Sequence, residues 1–381
     1  MPSSVAVASS SMAAAARRFR PFRELPYPTG LEATLAKEAE QIGCGGKFSD
    51  CTLQTRPRAT SKSRTWNPKR ARGAPAPVYV RFREGKTDMA CLAYEASGVY
   101  FKASEVKTMA DTVASHYSEN LQLADVIAQS LRSSGKDLDK LTTTDLATVD
   151  EFHIRGRKAT LELAAQMNLK ADSHVLDIGS GLGGAARAVA ETYGCRVTGI
   201  DLTQAFCDAA RTMSDWVGLG KRVSFKQGDA TNLPFADKQF DAAMTIHVAM
   251  NIANKDRLYA EARRVTKPGG VFAVYDVLQG EGGDVLYPVP WARDPSISHL
   301  ATPDQMKSLL VGAGFKVLDV HDSTEESQSF FERMTAQMAK TGSPPVAWRL
   351  FLGDDFSTMA RNQVRNVTER RIRTVSYICA A

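Results

Sequence analysis

Residues 175–190 join three patterns without a gap: the apolar run Val175-Leu176-Asp177-Ile178, the turn Gly179-Ser180-Gly181-Leu182-Gly183-Gly184, and the helical run Ala185–Ala190. Glycine lets such a turn take backbone angles closed to other residues and lets a ligand approach the main chain. A strand that leaves its sheet through a glycine-rich turn into a helix is the entry to an open α/β sheet. Small molecules bind such sheets at the carboxyl ends of the strands.

The rest of the chain repeats that alternation. Short apolar runs predict strands at His174–Ile178, Arg196–Ile200, Val223–Lys226, Asp241–Ile246, Val271–Tyr275, Phe315–Val320 and Val375–Ala380. Helical spacing separates them, and predicts further helices over Met109–His116, Leu121–Leu131 and Asp150–Leu169. Strand and helix at this interval mean a mostly parallel sheet covered on both faces. The expected fold is therefore α/β, a doubly wound Rossmann-like sheet of seven strands. No apolar run approaches the roughly 18 residues of a membrane span. The richest stretch, Ala242 to Ala253, contains His247 and two Asn, and reads as a buried strand with its turn.

Charge divides the chain. Residues 1–110 carry 18 Lys/Arg against 9 Asp/Glu, a balance of +9, and the remainder 30 against 33, a balance of −3. The chain reads as three segments. Residues 1–29, Ala/Ser-rich with Arg17, Arg18, Arg20 and Arg23 and no acid before Glu24, read either as an organelle transit peptide or as a disordered tail. An intracellular protein, in cytoplasm, mitochondrion or plastid, fits either. Residues 30–108 form a basic extension without an assigned role, in which short strands are expected at Pro77–Phe82, Ala90–Tyr94 and Val99–Phe101. Residues 109–381 form the α/β domain. The basic stretch after Asp50 offers phosphate contacts but, before Pro77, only Trp66 for stacking, so a solvated loop is the better reading. The six cysteines make no Cys-x-x-Cys pair and no zinc spacing, so they read as reduced thiols and no metal is expected.

The glycine turn alone does not identify its ligand, since Gly179, Gly181 and Gly184 also satisfy a dinucleotide loop. The motifs downstream of the turn decide. The run Val197–Ile200 leads into Asp201, 18 residues after Gly183, the separation of a carboxylate that binds ribose hydroxyls. Gly228-Asp229-Ala230 comes after the third strand, Ile246-His247 ends the fourth, and Lys267-Pro268-Gly269-Gly270 precedes the fifth. This order of motifs resembles the class I S-adenosylmethionine-dependent methyltransferases over residues 110–381. The resemblance implies S-adenosylmethionine as cofactor. It implies that Gly179, Ser180, Gly181 and Gly183 approach the methionine part and that Asp177 holds the loop or reaches the amino group. It also implies that Asp201 accepts the ribose hydroxyls, Leu202 packs on the adenine, and Asp229 and Ala230 meet its edge. Core packing is the plain alternative for Leu202 and Ala230, a turn or helix cap for Asp201 and Asp229.

Two stretches, Asp150–Thr160 and Leu286–Asp304, resemble the sarcosine/dimethylglycine N-methyltransferase group. That resemblance implies a small-molecule amine as acceptor and glycine betaine as product. Such a site needs a carboxylate anchor and a pocket that tolerates a cation. Arg155, Arg157 and Arg293 are candidate anchors. Tyr287 and Trp291 are candidate partners for a methylated ammonium, or pack a lid. His247 ends the fourth strand near the expected methyl; as a general base it points to an O- or C-methyl acceptor instead. His153 is either a site residue or a core histidine. Asn-Pro-Pro-Tyr, expected after the fourth strand in many base N-methyltransferases, is absent, which argues against nucleic acid as substrate. The intact loop argues against a non-catalytic binding protein.

Overall fold

The computed structural model describes residues 78–84, 87–93, 123–341 and 352–381. The chain divides into two units, 1–103 and 104–381. In the first, β1 (Val78–Glu84) and β2 (Thr87–Ala93) pair antiparallel, Val78 opposite Ala93 and Glu84 opposite Thr87. They overlap two of the three strands expected there. The third, the Met109–His116 helix and the segment 1–29 lie outside the described residues.

Within the second unit the described residues open with three short helices, α1 (Leu123–Ser133), α2 (Thr143–Asp150) and α3 (Gly156–Ala164). Then strands and helices alternate: β3 (His174–Ile178), α4 (Gly184–Tyr193), β4 (Arg196–Asp201), α5 (Gln204–Trp216), β5 (Val223–Gln227), β6 (Phe240–Ile246), α6 (Lys255–Val265), β7 (Thr266–Gln279), α7 (Pro303–Gly312) and β8 (Lys316–Asp322). Two helices, α8 (Thr324–Thr341) and α9 (Phe356–Thr368), precede the final strand β9 (Ile372–Ala380). The seven strands lie in the order β5-β4-β3-β6-β7-β9-β8. β9 runs antiparallel to both its neighbours, and the other pairings are parallel. All seven expected strands are present, and the fold is the doubly wound α/β sheet that the alternation implies.

The core explains why the strand runs are apolar throughout. On one face Val175, Val197, Met244 and Ala273 pack with residues of α3, α4 and α5. On the other Leu176, Ile200, Ala243 and Val274 pack with residues of α6 and α7. Adjacent residues of a strand point to opposite faces, so a sheet covered on both sides needs apolar side chains at consecutive positions.

Two expectations need correction. Residues 150–169 are not one helix. α2 ends at Asp150 and α3 begins at Gly156, because Arg155 takes a left-handed backbone (φ 70°) that no α-helix accommodates. Lys267-Pro268-Gly269-Gly270 does not precede the fifth strand but lies inside β7, where the pairing with β6 shifts register between Phe240 and Ala242. Among the described residues no helix is long and apolar enough to cross a membrane.

Candidate active site

The carboxyl ends of β3, β4 and β6 converge on the glycine turn. Gly179 and Ser180 both donate their backbone N–H to the Ile200 carbonyl, at 2.7 and 3.0 Å, which fastens the turn to β4. Gly179 has φ 77°, and a Cβ there would stand 2.3 Å from a Val248 methyl. Gly181 has φ 51°, yet a Cβ there would meet nothing within 4 Å. The first glycine is needed by the protein's own packing; the second leaves open space where a ligand would lie. Gly183 caps the start of α4 without a side-chain bond.

Asp201 closes the loop. One carboxylate oxygen accepts the Gly181 N–H at 2.8 Å, the other the Thr203 N–H at 2.9 Å. Each oxygen keeps a further lone pair for a ligand hydroxyl. Asp177 is buried behind it, and burial together with the Asp201 charge pushes its pKa up to about 7. Leu202 is half-buried at the strand exit. Asp229 is exposed and accepts from the backbone and hydroxyl of Thr231, the geometry of a turn, while Ala230 packs on the second core cluster.

Four buried polar atoms near these strand ends lack a hydrogen-bond partner: Asp177 Oδ2, Ser180 Oγ, Thr245 Oγ1 and His247 Nε2. Orphaned polar atoms are costly, and several together at the mouth of a glycine turn fit a polar ligand that completes them. The residues present thus fit an adenosyl amino acid. Ribose would fall to Asp201, and the amino group to Asp177 and the loop.

At the carboxyl end of β6 three rings meet. His153, in the turn between α2 and α3, lies 5.9 Å from His247 and 6.3 Å from Tyr275, centroid to centroid, and His247 lies 4.9 Å from Tyr275. His247 also has a left-handed backbone (φ 53°) and donates its N–H to the Tyr275 carbonyl at 2.8 Å. Strain of that kind in a non-glycine residue clusters at functional sites. Burial keeps both imidazoles neutral: it drives His247 well below its ordinary pKa, and pushes His153 down to about 4. The Tyr275 phenol donates to the Ile154 carbonyl at 3.2 Å.

The other expected acceptor residues lie differently. Trp291 is 1% exposed in a cluster with Ile154, Val277 and Val289, and its indole N–H donates to Ser298 Oγ at 3.0 Å. Tyr287 packs half-buried against the same cluster. All three arginines face carboxylates: Arg155 pairs with Glu162, Arg157 with Glu191 at 2.6 Å, and the exposed Arg293 with Asp355 at 2.5 Å. A surface cavity of about 710 Å³ lies elsewhere, lined by Lys255, His299, Asp304 and Gln305 among others and by no residue of the glycine turn.

Three residues of this side escaped the sequence reading. Tyr275 ends the fifth apolar run, one strand over from His247, which was a readable signal. Glu151 and Thr160 stand inside the Asp150–Thr160 stretch but announce no chemistry there. Behind them Arg187, fully buried, donates to Asp150 at 2.6 Å and to the Ser214 hydroxyl and the Ala210 and Leu182 carbonyls. One guanidinium thereby ties α2, the glycine turn and α5 together.

Residues 176–274 match a family model described as a methyltransferase domain. The chain is 30% identical over 190 residues to the methyltransferase GfsG of Streptomyces halstedii, covering 48% of this chain and 67% of that protein. It is 37% identical over 116 residues to the sterol 24-C-methyltransferase ERG6B of Gibberella zeae. That match spans only 30% of either protein. The fold resembles that of phosphoethanolamine N-methyltransferase 2 of Haemonchus contortus, with TM-score 0.53, 19% identity, and coverage of 64% of this chain and 58% of that one.

Proposed function

This chain belongs to the S-adenosylmethionine-dependent methyltransferases, and we propose that it methylates a small molecule whose acceptor atom gives up a proton. The observation that carries this reading is His247: a neutral imidazole at the end of β6 whose Nε2 has no partner. Held by the glycine turn, Asp177 and Asp201, S-adenosylmethionine would supply an electrophilic methyl group. The protein's part is alignment and exclusion of water. His247 Nε2 accepts the acceptor's proton, and Tyr275 and His153 hold its ring. A hydroxyl, an enolisable carbon or a secondary amine fits such a base.

A second reading is N-methylation of sarcosine and dimethylglycine toward glycine betaine. It is favoured by the Asp150–Thr160 segment, which resembles that group and folds its His153 against His247. In that case Arg155, Arg157 or Arg293 must leave its present carboxylate to hold the substrate's, and Tyr287 and Trp291 face the ammonium. Dimethylglycine has no proton to lose, so His247 would be dispensable for it.

Labelled S-adenosylmethionine offered with sarcosine, dimethylglycine and a panel of phenols and alcohols separates the two. We expect label in a proton-bearing acceptor and a kcat lowered about 10²-fold or more in His247→Ala, the scale of a lost general base. Dimethylglycine labelled at an undiminished rate by His247→Ala overturns this in favour of the second reading.

A further inference from the structure

The geometry points to Glu151 and Thr160 as positioning residues for the acceptor side, a carboxyl–hydroxyl–imidazole chain that fixes the tautomer of His153. The inference rests on the reading that His153 and His247 serve the reaction, but its first test does not depend on activity.

The chain is short and buried throughout. Glu151 is 1% exposed, Thr160 0% and His153 6%. The Thr160 hydroxyl donates to Glu151 Oε2 at 2.7 Å. The same hydroxyl oxygen lies 3.1 Å from His153 Nε2, which also lies 3.0 Å from the Gly156 carbonyl. A carbonyl only accepts, so Nε2 carries the proton and donates to Gly156. The Thr160 hydroxyl has one proton, and Glu151 takes it. What Thr160 then turns toward His153 is a lone pair, a second acceptor for the same N–H. Both neighbours thus favour Nε2–H, and Nδ1 is left as the basic nitrogen.

Glu151 is the guard of this arrangement. Without an acceptor at that position, the Thr160 hydroxyl would be free to donate to His153 Nε2, and the opposite tautomer would compete. Burial, with the Asp150 charge beside it, pushes Glu151 up to about 8; Oε2 accepts from Thr160 in the ionised carboxylate and in the acid whose proton sits on Oε1, the oxygen without a hydrogen-bond partner. The reason to hold one tautomer is the neighbour: the His153 ring stands edge-on to both His247 and Tyr275. A ring that exchanged its N–H and its lone pair would change the field at the His247 imidazole.

The test is imidazole nitrogen chemical shifts of the full chain, with His153 assigned by its absence in His153→Gln. Wild type should show a single Nε2–H tautomer at His153. Glu151→Leu should move its signals toward the Nδ1–H form, whereas Glu151→Gln, which keeps an amide oxygen for Thr160, should retain the wild-type shifts. Wild-type shifts in Glu151→Leu, or an Nδ1–H tautomer in wild type, overturn the inference. Should Glu151→Leu fail to fold, Thr160→Val and Thr160→Ser decide. With whichever acceptor the protein methylates, Val should lower kcat about tenfold with cofactor affinity within about threefold of wild type, and Ser should restore it. Equal kcat in Val and wild type, or equal losses of kcat and cofactor affinity, sinks it. If wild type methylates nothing offered, the functional reading falls while the tautomer result stands on its own.

Discussion

The two sides of the candidate site are built on different principles. The cofactor side is made of main chain: three glycines at positive φ, N–H groups fastened to the Ile200 carbonyl, and a carboxylate braced by Gly181 and Thr203. The acceptor side is made of side chains drawn from separate stretches, residues 151–160, 247, 275 and 287–298, meeting through ring contacts and single hydrogen bonds. A site made of backbone is specified by where glycine can go, and tolerates little change. One made of side chains can be re-lined without disturbing the sheet. The difference fits a family whose members share a cofactor and differ in what they methylate.

The largest expected effect comes from the residue that joins the two sides. Arg187→Met leaves Asp150 buried and unpaired and should cost about 3–5 kcal/mol of stability, measured by denaturant unfolding. A loss below about 1 kcal/mol would mean that the sides are held independently. Gly179→Ala must open a left-handed position to a Cβ 2.3 Å from Val248. The expected cost is about 2–3 kcal/mol, read as a loss of cofactor affinity in calorimetry. Gly181→Ala, whose Cβ points into open space, should fold normally and still lose cofactor; a variant that binds as wild type would show that the open space is not the ligand's.

The next effect is set by pH. Asp177 has its pKa pushed up to about 7 from an ordinary 3.8, because burial and the nearby Asp201 disfavour its charge. The folded state therefore holds this proton more tightly than the unfolded chain. Its contribution to stability falls as pH rises from about 4 through 7. A cationic amino group prefers the ionised form, so cofactor affinity should rise over the same upper range, about tenfold between pH 6 and 8, and the rise should vanish in Asp177→Asn. The smallest effect belongs to the acceptor side's surface. Arg293→Ala breaks an exposed pair with Asp355 and should change stability by under about 1 kcal/mol. If it instead raises KM for sarcosine tenfold or more, the carboxylate-anchor role is recovered and the side-chain lining is more committed than its exposure suggests.

What could be read from the sequence divides along the same line. The seven strands were legible because a sheet buried on both faces needs unbroken apolar runs, and the loop because Gly179, Gly181 and Gly183 hold left-handed backbone angles that favour glycine. The acceptor side was only partly legible. His247 was marked by its place at a strand end, yet nothing in the chain indicates that Arg157 will meet Glu191, 34 residues on, or that Arg293 will meet Asp355, 62 on. Trp291 read either as a partner for an ammonium or as packing for a lid; its burial and its bond to Ser298 depend on a cluster assembled from distant segments. The break at Arg155 was hidden because left-handed angles in a non-glycine residue are imposed by the surrounding fold.

The left-handed backbone at His247 has a consequence for variation. At φ 53° glycine is more comfortable than any side chain. Replacement by glycine would relieve that strain but leave a cavity where the ring packs on His153 and Tyr275, so backbone comfort and side-chain packing pull in opposite directions at this position. Under the proposed role of His247, the left-handed backbone is a local cost carried for the position of one ring.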